Sequence, residues 1–414
     1  MKKTKNMKKN YSLLLLVFAI SIVTSYAQSW TSLTSGTTQN LLGASFVNDN
    51  TGWVVGDVGT VLKTINGTTF TTQTSGTANT LYSAWFFNID TGYVMGDGST
   101  ILKTTNGGTT YSSITPPVAI NVRSIYFCNS SIGYIGGGNA SSQGVILKTT
   151  DGGTTWTPLT IGTLSVIHGV YFTDVLTGYA SDFDGSIIKT TDGGTTWTLQ
   201  TSGTTVNLYG VYYTNSTTGY VVVENGTVLK TTNGGTTWTP QSDGDVADYF
   251  TSITFLDDNI GYIVGGNSGA NTSTILKTLD AGVTWTVQAT SSTRQYGSSF
   301  STHNGYTCGL NGSILKITGL TLTGVNEYAN NNNISIYPNP ANNIVNINYQ
   351  LPNNATEAIV NIFDQTGKLI NSQMIYGNKG LTTLNVENLP NGLYLYSVNV
   401  NSTIIATQHI AISK

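Results

Sequence analysis

The side chains able to do acid–base or nucleophilic chemistry are few. The chain holds three histidines, His168, His303 and His409, and two arginines, Arg123 and Arg294. Histidines so scattered argue against a zinc site or a histidine-based triad, and the many glycines lack phosphate-loop spacing. No cofactor and no metal are expected. Loop acids are the remaining candidates: Asp57, Asp97, Asp182, Asp184 and Glu224. Glycoside hydrolysis needs only two carboxylates about 5 to 10 Å apart. Asp97 and Asp182 are the pair to consider for such an activity, which is the alternative to a non-catalytic reading.

A second set of residues suits recognition better. When the chain is aligned on the small residues Gly43, Ser83, Ser124, Gly169, Gly210, Ser252 and Gly297, the preceding position reads Leu42, Tyr82, Arg123, His168, Tyr209, Thr251 and Tyr296. Arg294 lies two residues before Tyr296. Aromatic rings mixed with single charges fit a polar ligand, a protein or a glycan. The expected ligand-binding set is Tyr82, Arg123, His168, Tyr209, Arg294 and Tyr296.

These residues are carried on a repeat of 40 to 45 residues. Gly-aromatic pairs begin at Gly52, Gly92, Gly133, Gly178, Gly219, Gly261 and Gly305, and each is followed by an aliphatic-Lys pair ending at Lys63, Lys103, Lys148, Lys189, Lys230, Lys277 or Lys316. Strand-like segments of four to seven residues at this period predict the four-stranded blades of a propeller. The seventh repeat stops after Lys316-Ile317-Thr318 without a turn or ring. Ser29-Trp30-Thr31 resembles Thr196-Trp197-Thr198, so the N-terminal strand is expected to close the last blade. The fold class is all-β: a seven-bladed β-propeller over residues 28–320, then a small Ig-like β-sandwich. The candidate ligand residues then fall at the mouth of the central channel. The lysine column, identical in all blades, reads as architecture, each stem lying on apolar neighbours with its ammonium at the rim or on a carbonyl. Cys128 and Cys308 fall in repeats three and seven, too far apart around a ring to bridge, and read as buried free thiols.

The remaining segments speak to export. Residues 1–27 combine Lys2, Lys3, Lys5, Lys8 and Lys9 with an apolar stretch over residues 12–23 and Ser25-Tyr26-Ala27, the layout of a secretory signal peptide cleaved before Gln28. No other segment is apolar enough for a membrane helix, so no span is expected in the mature chain. Losing the five leader lysines takes the formal net charge from −3 to −8, which disfavours nucleic acid as a partner. Residues 321–333 are a polar, asparagine-rich linker. Residues 334–414 carry short strands and turns at Gly367-Lys368 and Asn391-Gly392.

Three resemblances follow from these motifs. Thr149-Thr150-Asp151-Gly152-Gly153-Thr154-Thr155-Trp156, repeated at 190–197 and 231–238, resembles the Asp-box of bacterial neuraminidase repeats, a structural turn in that family. Sialidases of that kind hold a carboxylate with three arginines, and two do not suffice. The whole repeat also resembles photosystem II assembly-factor-like propellers, which implies a non-catalytic binding or assembly scaffold, an envelope assembly factor among the alternatives. The tail, through Tyr337-Pro338-Asn339-Pro340, Phe363-Asp364-Gln365-Thr366-Gly367-Lys368, Leu389-Pro390-Asn391-Gly392-Leu393-Tyr394 and Lys414, resembles the type A sorting domain of the type IX secretion system of Bacteroidota. That resemblance implies the type IX translocon as partner through residues 334–414, and a secreted or cell-surface location.

Overall fold

Short β-rich segments separated by glycine and Asx turns pair with their sequence neighbours, and seven four-stranded antiparallel sheets result. The structure is a computed structural model that describes residues 28–162, 164–241, 249–267, 271–320, 334–351, 355–364, 369–400 and 403–414. Residues 1–27, expected as a signal peptide, residues 321–333, expected as a linker, and the Gly367-Lys368 turn lie outside the described residues. Blades 1 to 7 are named by their inner strands, Leu41–Phe46, Leu81–Phe86, Asn121–Phe127, Ile167–Phe172, Leu208–Tyr213, Tyr249–Phe255 and Gln295–Phe300. Each inner strand lies against that of the next blade, and Gln295–Phe300 lies against Leu41–Phe46, so the sheets form a closed ring. Main-chain amides reach across: Phe86 N donates to Ser45 Oγ at 3.0 Å, and Phe46 N to Ser299 Oγ at 3.0 Å. Blade 7 takes its outer strand, Thr31–Leu33, from the start of the propeller. Thr31 pairs with Lys316 as Thr198 pairs with Lys189 and Thr239 with Lys230.

The Gly-aromatic pair explains how blades pack. A Cβ on Gly52 would sit 2.4 Å from the ring of Phe46, and one on Gly178 2.4 Å from that of Phe172. The glycine therefore lets an inner-strand ring of its own blade lie flat on the backbone. The other face of that ring receives the Gly-aromatic ring of the preceding blade. Trp53 stacks on Phe86 at 3.5 Å, Tyr134 on Phe172 at 3.7 Å and Tyr306 on Phe46 at 3.6 Å between centroids. Stacked near face to face, these rings bury large apolar areas across the seam.

The lysine column completes each contact. Lys148 Nζ and Tyr134 Oη both donate to the Gly193 carbonyl in the turn of the next blade, at 2.7 and 2.9 Å. Lys189 and Tyr179 converge in the same way on Gly234 O, and Lys230 and Tyr220 on Ala281 O. Lys63 with Trp53 reach Gly107 O, Lys103 with Tyr93 reach Gly152 O, and Lys316 with Tyr306 reach Gly67 O. Each ammonium also lies 5.0 to 5.6 Å from the centroid of its partner ring, within cation–π range. The lysines are thus interblade fasteners. Both cysteines are free, with Cys308 buried and Cys128 only half-buried, because blade 3 leaves its thiol beside the Asp174 carbonyl near the surface.

In the tail, a three-stranded sheet (Ile334–Tyr337, Ile344–Gln350, Lys379–Asn385) and a four-stranded sheet (Leu369–Tyr376, Glu357–Phe363, Gly392–Val400, Thr403–Ile412) enclose one apolar cluster that includes Val345, Ile347, Val360, Ile362, Tyr396 and Ile410. The motif residues tie its ends together. Asn339 Oδ1 accepts from Ala411 N at 2.8 Å, and Lys414 Nζ donates to the Leu389 carbonyl at 2.7 Å.

The recurrent turn is organised by one acceptor. Asp192 Oδ1 accepts from Thr196 N at 2.8 Å and Oδ2 from Thr196 Oγ1 at 2.7 Å. Asn233 makes the same pair, with Nδ2 donating to Thr237 Oγ1 at 2.9 Å, since a threonine hydroxyl serves as donor or acceptor. The Thr196 amide and hydroxyl hold the Asp192 carboxyl down at about 2, and the Thr155 hydroxyl and amide do the same for Asp151. A depressed folded value means stability that is present above the ordinary carboxylate range and lost as pH falls from about 4 toward 2. Asp192→Asn is expected to melt within about 1 °C of the parent at pH 7 and to lose less stability on acidification. Asp192→Ala should melt about 2 °C lower at pH 7. Thermal melts at pH 7 and pH 3 check both.

Candidate functional site

The aligned inner-strand position sits on an irregularity repeated in every blade. Ladder register shifts between Leu41 and Gly43, Leu81 and Ser83, Val122 and Ser124, Ile167 and Gly169, Leu208 and Val211, Phe250 and Ser252, and Gln295 and Gly297. The skipped residues are Leu42, Tyr82, Arg123, His168, Tyr209 with Gly210, Thr251 and Tyr296. A bulge frees a residue from ladder pairing and re-aims its side chain. The small residue that follows has its own reason: a Cβ on Gly43 would lie 2.5 Å from the Tyr82 carbonyl, and one on Gly169 2.6 Å from that of Tyr209. Close approach of neighbouring inner strands therefore fixes a small residue beside each freed one.

Two clusters form on this ring. On blades 2 and 3, Arg123 Nη1 donates to Asp97 Oδ1 at 2.9 Å, its guanidinium lies 3.8 Å from the Tyr82 ring centroid, and Tyr82 Oη lies 3.3 Å from Asp97 Oδ2. The pair is partly exposed, so it orients the groups more than it stabilises the fold. Burial raises the Tyr82 phenol, and Arg123 opposes that shift.

On blades 4 to 6, the His168 imidazole stacks on Phe183 at 3.8 Å and meets Tyr209 edge-on at 5.0 Å. Tyr209 and Tyr249 share a hydroxyl–hydroxyl bond of 2.9 Å, and Arg294 lies over the Tyr249 ring at 5.2 Å. The result is a row of aromatic rings ending in a cation. Burial first, and the Arg123 charge second, push the His168 imidazole down to about 3. It is neutral at any physiological pH, and its Nε2 is sealed from solvent without a hydrogen-bond partner.

Of the expected residues, five enter these clusters: Tyr82 and Arg123 in one, His168, Tyr209 and Arg294 in the other. Tyr296 occupies the blade 7 bulge but stacks on none of these rings. Phe183 and Tyr249 were missed. Phe183 stands between Asp182 and Asp184, and its aromatic character in an acidic loop was the available signal. Tyr249 lies two residues before the aligned position.

The loop acids are mostly engaged. Asp182, 1% exposed, accepts from the amides of Asp184 at 3.0 Å and Ser186 at 2.7 Å, and burial raises its carboxyl. Asp57 accepts from Asn40 Nδ2 at 2.8 Å, and Glu224 from Asn207 Nδ2 at 2.5 Å. Among the described residues no group of three or more His, Cys, Asp or Glu is placed to hold a metal.

The family model for the photosynthesis system II assembly factor YCF48 matches residues 22–156 and 197–298, more than half of the chain. The chain belongs to the YCF48 family. Residues 335–413 match the secretion system C-terminal sorting domain. A tail of that family implies handling by the type IX secretion system and export to the cell surface. No helix among the described residues is long and apolar enough to cross a membrane. Similar solved structures share the fold. They include YCF48 bound to D1 peptide (21% identity, 70% of this chain and 94% of that chain, TM-score 0.58). YCF48 from Cyanidioschyzon merolae is 18% identical over 70% of this chain and 98% of that chain, with a TM-score of 0.57. The WD40 β-propeller domain of Doa1 is 10% identical over 71% and 97%, with a TM-score of 0.57. No curated protein matches the chain.

His168 supplies the test of this site's electrostatics. Its imidazole signals are expected to stay fixed between pH 5 and 8 in a nitrogen-detected NMR titration. Because the folded value lies below that of a free imidazole, about 6.5, burial of this ring costs stability as pH falls below that range.

Proposed function

We propose that the chain is an exported, non-catalytic binding scaffold whose channel mouth takes a polypeptide. One observation carries this reading: the seven bulges are equivalent in backbone yet differ in side chain, whereas the interblade fasteners repeat nearly unchanged. Chemistry that diverges on an otherwise uniform frame belongs to recognition rather than to folding. The aromatic row His168, Phe183, Tyr209 and Tyr249, flanked by Arg294 and by the Arg123–Asp97 pair, offers ring faces and two cations to an extended chain with apolar and acidic groups. A propeller of the same fold and family is described as bound to a D1 peptide, which favours a peptide over a glycan. A hydrolase built on Asp97 and Asp182 draws no support, since Asp182 is sealed on backbone amides and Asp97 is paired with Arg123. A Sec-type signal at residues 1–27 and the sorting tail at 334–414 would carry the propeller out in a Bacteroidota-type envelope.

Replacing Arg123 and Tyr209 together with alanine should weaken capture of whatever polypeptide the parent retains by at least about tenfold. Pull-downs and a glycan array run side by side read the outcome, and equal retention by the variant refutes the site. Deleting residues 334–414 should hold the propeller in the periplasm. Unchanged display at the surface, measured by protease accessibility on whole cells, would refute the sorting role.

A further inference from the structure

Six of the seven inner-strand hairpins cap themselves. In blades 1 to 6 the glycine of the Gly-aromatic pair stands six positions after the end of the inner strand, as Gly52 does after Phe46. An Asx residue in that turn accepts two main-chain amides. Asn48 Oδ1 accepts from Asn50 N at 2.9 Å and Thr51 N at 2.8 Å, and Asn88, Asn129, Asp174, Asn215 and Asp257 act alike. Blade 7 departs from this plan. Gly305 follows Phe300 by five positions, and Thr302 stands where the Asx residue would be.

The acceptor for this turn comes from blade 1. Asp49 Oδ1 accepts from His303 N at 2.9 Å and from Ser301 Oγ at 2.7 Å, and Oδ2 meets His303 Nδ1 at 2.7 Å. The main-chain carbonyl of Asp49 accepts from Asn304 Nδ2 at 3.0 Å and Tyr306 Oη at 2.9 Å. Polar atoms of four blade 7 residues thus converge on one residue of blade 1. At the same place in other turns, Ile89, Ser130, Val175 and Ser216 offer no carboxylate, and Asp258 meets a side-chain amide, Asn215 Nδ2, at 3.3 Å. The location matters because blade 7 is assembled from both ends of the propeller. Thr31–Leu33 joins the strands of residues 295–318 by three ladder pairs and no chain linkage. Asp49 belongs to the first side of that gap and its partners to the second.

We propose that Asp49 is the latch of the ring: its carboxylate caps the shortened hairpin of blade 7 in place of the missing Asx residue, and losing it opens blade 7 before the rest of the propeller. Charge-assisted hydrogen bonds to an amide and a hydroxyl are stronger than neutral ones. The His303 side chain is 65% exposed, so the ionic share is small and the amide and the Ser301 hydroxyl carry most of the effect. Lys316 and Tyr306 of blade 7 are the other titratable groups facing Asp49. Burial raises the Asp49 carboxyl, but the His303 amide, the Ser301 hydroxyl and the His303 imidazole outweigh it and hold the group below its ordinary value. The latch is therefore set above the ordinary carboxylate range and released as pH falls through the depressed folded value. It works independently of what the channel mouth binds.

Hydrogen exchange on the full chain at pH 7, read peptide by peptide by mass spectrometry, tests this. Asp49→Ala should speed exchange in Thr31–Leu33, Gln295–Phe300 and Ile314–Thr318 by about tenfold and leave the inner strands of blades 3 to 5 at parent rates. Asp49→Asn, a milder change that keeps one acceptor oxygen, should show the same pattern at smaller size. Ile89→Ala, at the same place in blade 2, should change none of these segments. His303→Ala should act less than Asp49→Ala, and the double variant should exchange within about twofold of Asp49→Ala, because both changes act on one contact. The melting gap between parent and Asp49→Ala should close as pH falls from about 4 toward 2. Parent-like exchange of blade 7 in both Asp49 variants, or equal acceleration in every blade, overturns the proposal.

Discussion

At six of the seven seams, a blade hands a ring hydroxyl or indole N–H and a lysine ammonium to one main-chain carbonyl of the blade that follows. That shared acceptor is what turns a row of small sheets into a ring. A four-stranded sheet of strands this short buries little apolar surface alone, and repeat proteins gain stability from contact between neighbours. Stacked rings supply the apolar part of the contact. The carbonyl supplies direction, because two donors can meet one oxygen only when adjacent blades hold one relative rotation. The turn that offers the carbonyl is itself held by an Asp or Asn acceptor and by glycines with positive φ, such as Gly193 at 67° and Gly194 at 87°. The turn, the lysine and the Gly-aromatic pair are therefore three parts of one fastener.

A frame fixed at its periphery leaves its centre open to variation. Inner strands approach so closely that a small residue is required at one position, and the bulge lifts the preceding residue out of the ladder. That residue faces few packing demands, and its type changes from blade to blade. Leu42 and Thr251 stand on one frame with Arg123, His168 and three tyrosines. Rings from blades 4, 5 and 6 meet in a row, and the two arginines each rest on a tyrosine face. A neutral imidazole and carboxylates held by amides or by arginine suit binding more than proton transfer, since a general acid or base needs an accessible proton near the working pH.

The tail follows a different plan. Its two sheets share a core, and its signature residues fasten the ends of the chain: Asn339 receives the Ala411 amide, and Lys414 closes on the Leu389 carbonyl. Motif residues more than 70 positions apart thus converge in one small domain.

Much of the fold was legible in the residues. The 40-to-45-residue period, the Gly-aromatic pairs and the Asx turns announce blades, because turn chemistry and strand alternation are local properties. The tail strand Leu369–Tyr376 was not legible, since its alternation is broken by adjacent Leu369-Ile370 and by a polar run through Asn371, Ser372 and Gln373. The candidate site was partly legible. The aligned column located the bulges, yet Phe183 and Tyr249 were hidden, because Phe183 reaches His168 from a loop of the same blade and Tyr249 reaches Tyr209 from the next blade. The lysine column was visible but its acceptor was not, because the carbonyl lies 44 to 51 residues downstream in five blades and 249 residues upstream for Lys316. Sequence by itself determined the units, their number and the residues that differ among them, since these follow from local spacing and side-chain type. Only the tertiary structure decided which atoms meet across a seam and which rings share a surface, since closing the ring brings distant segments within bonding distance.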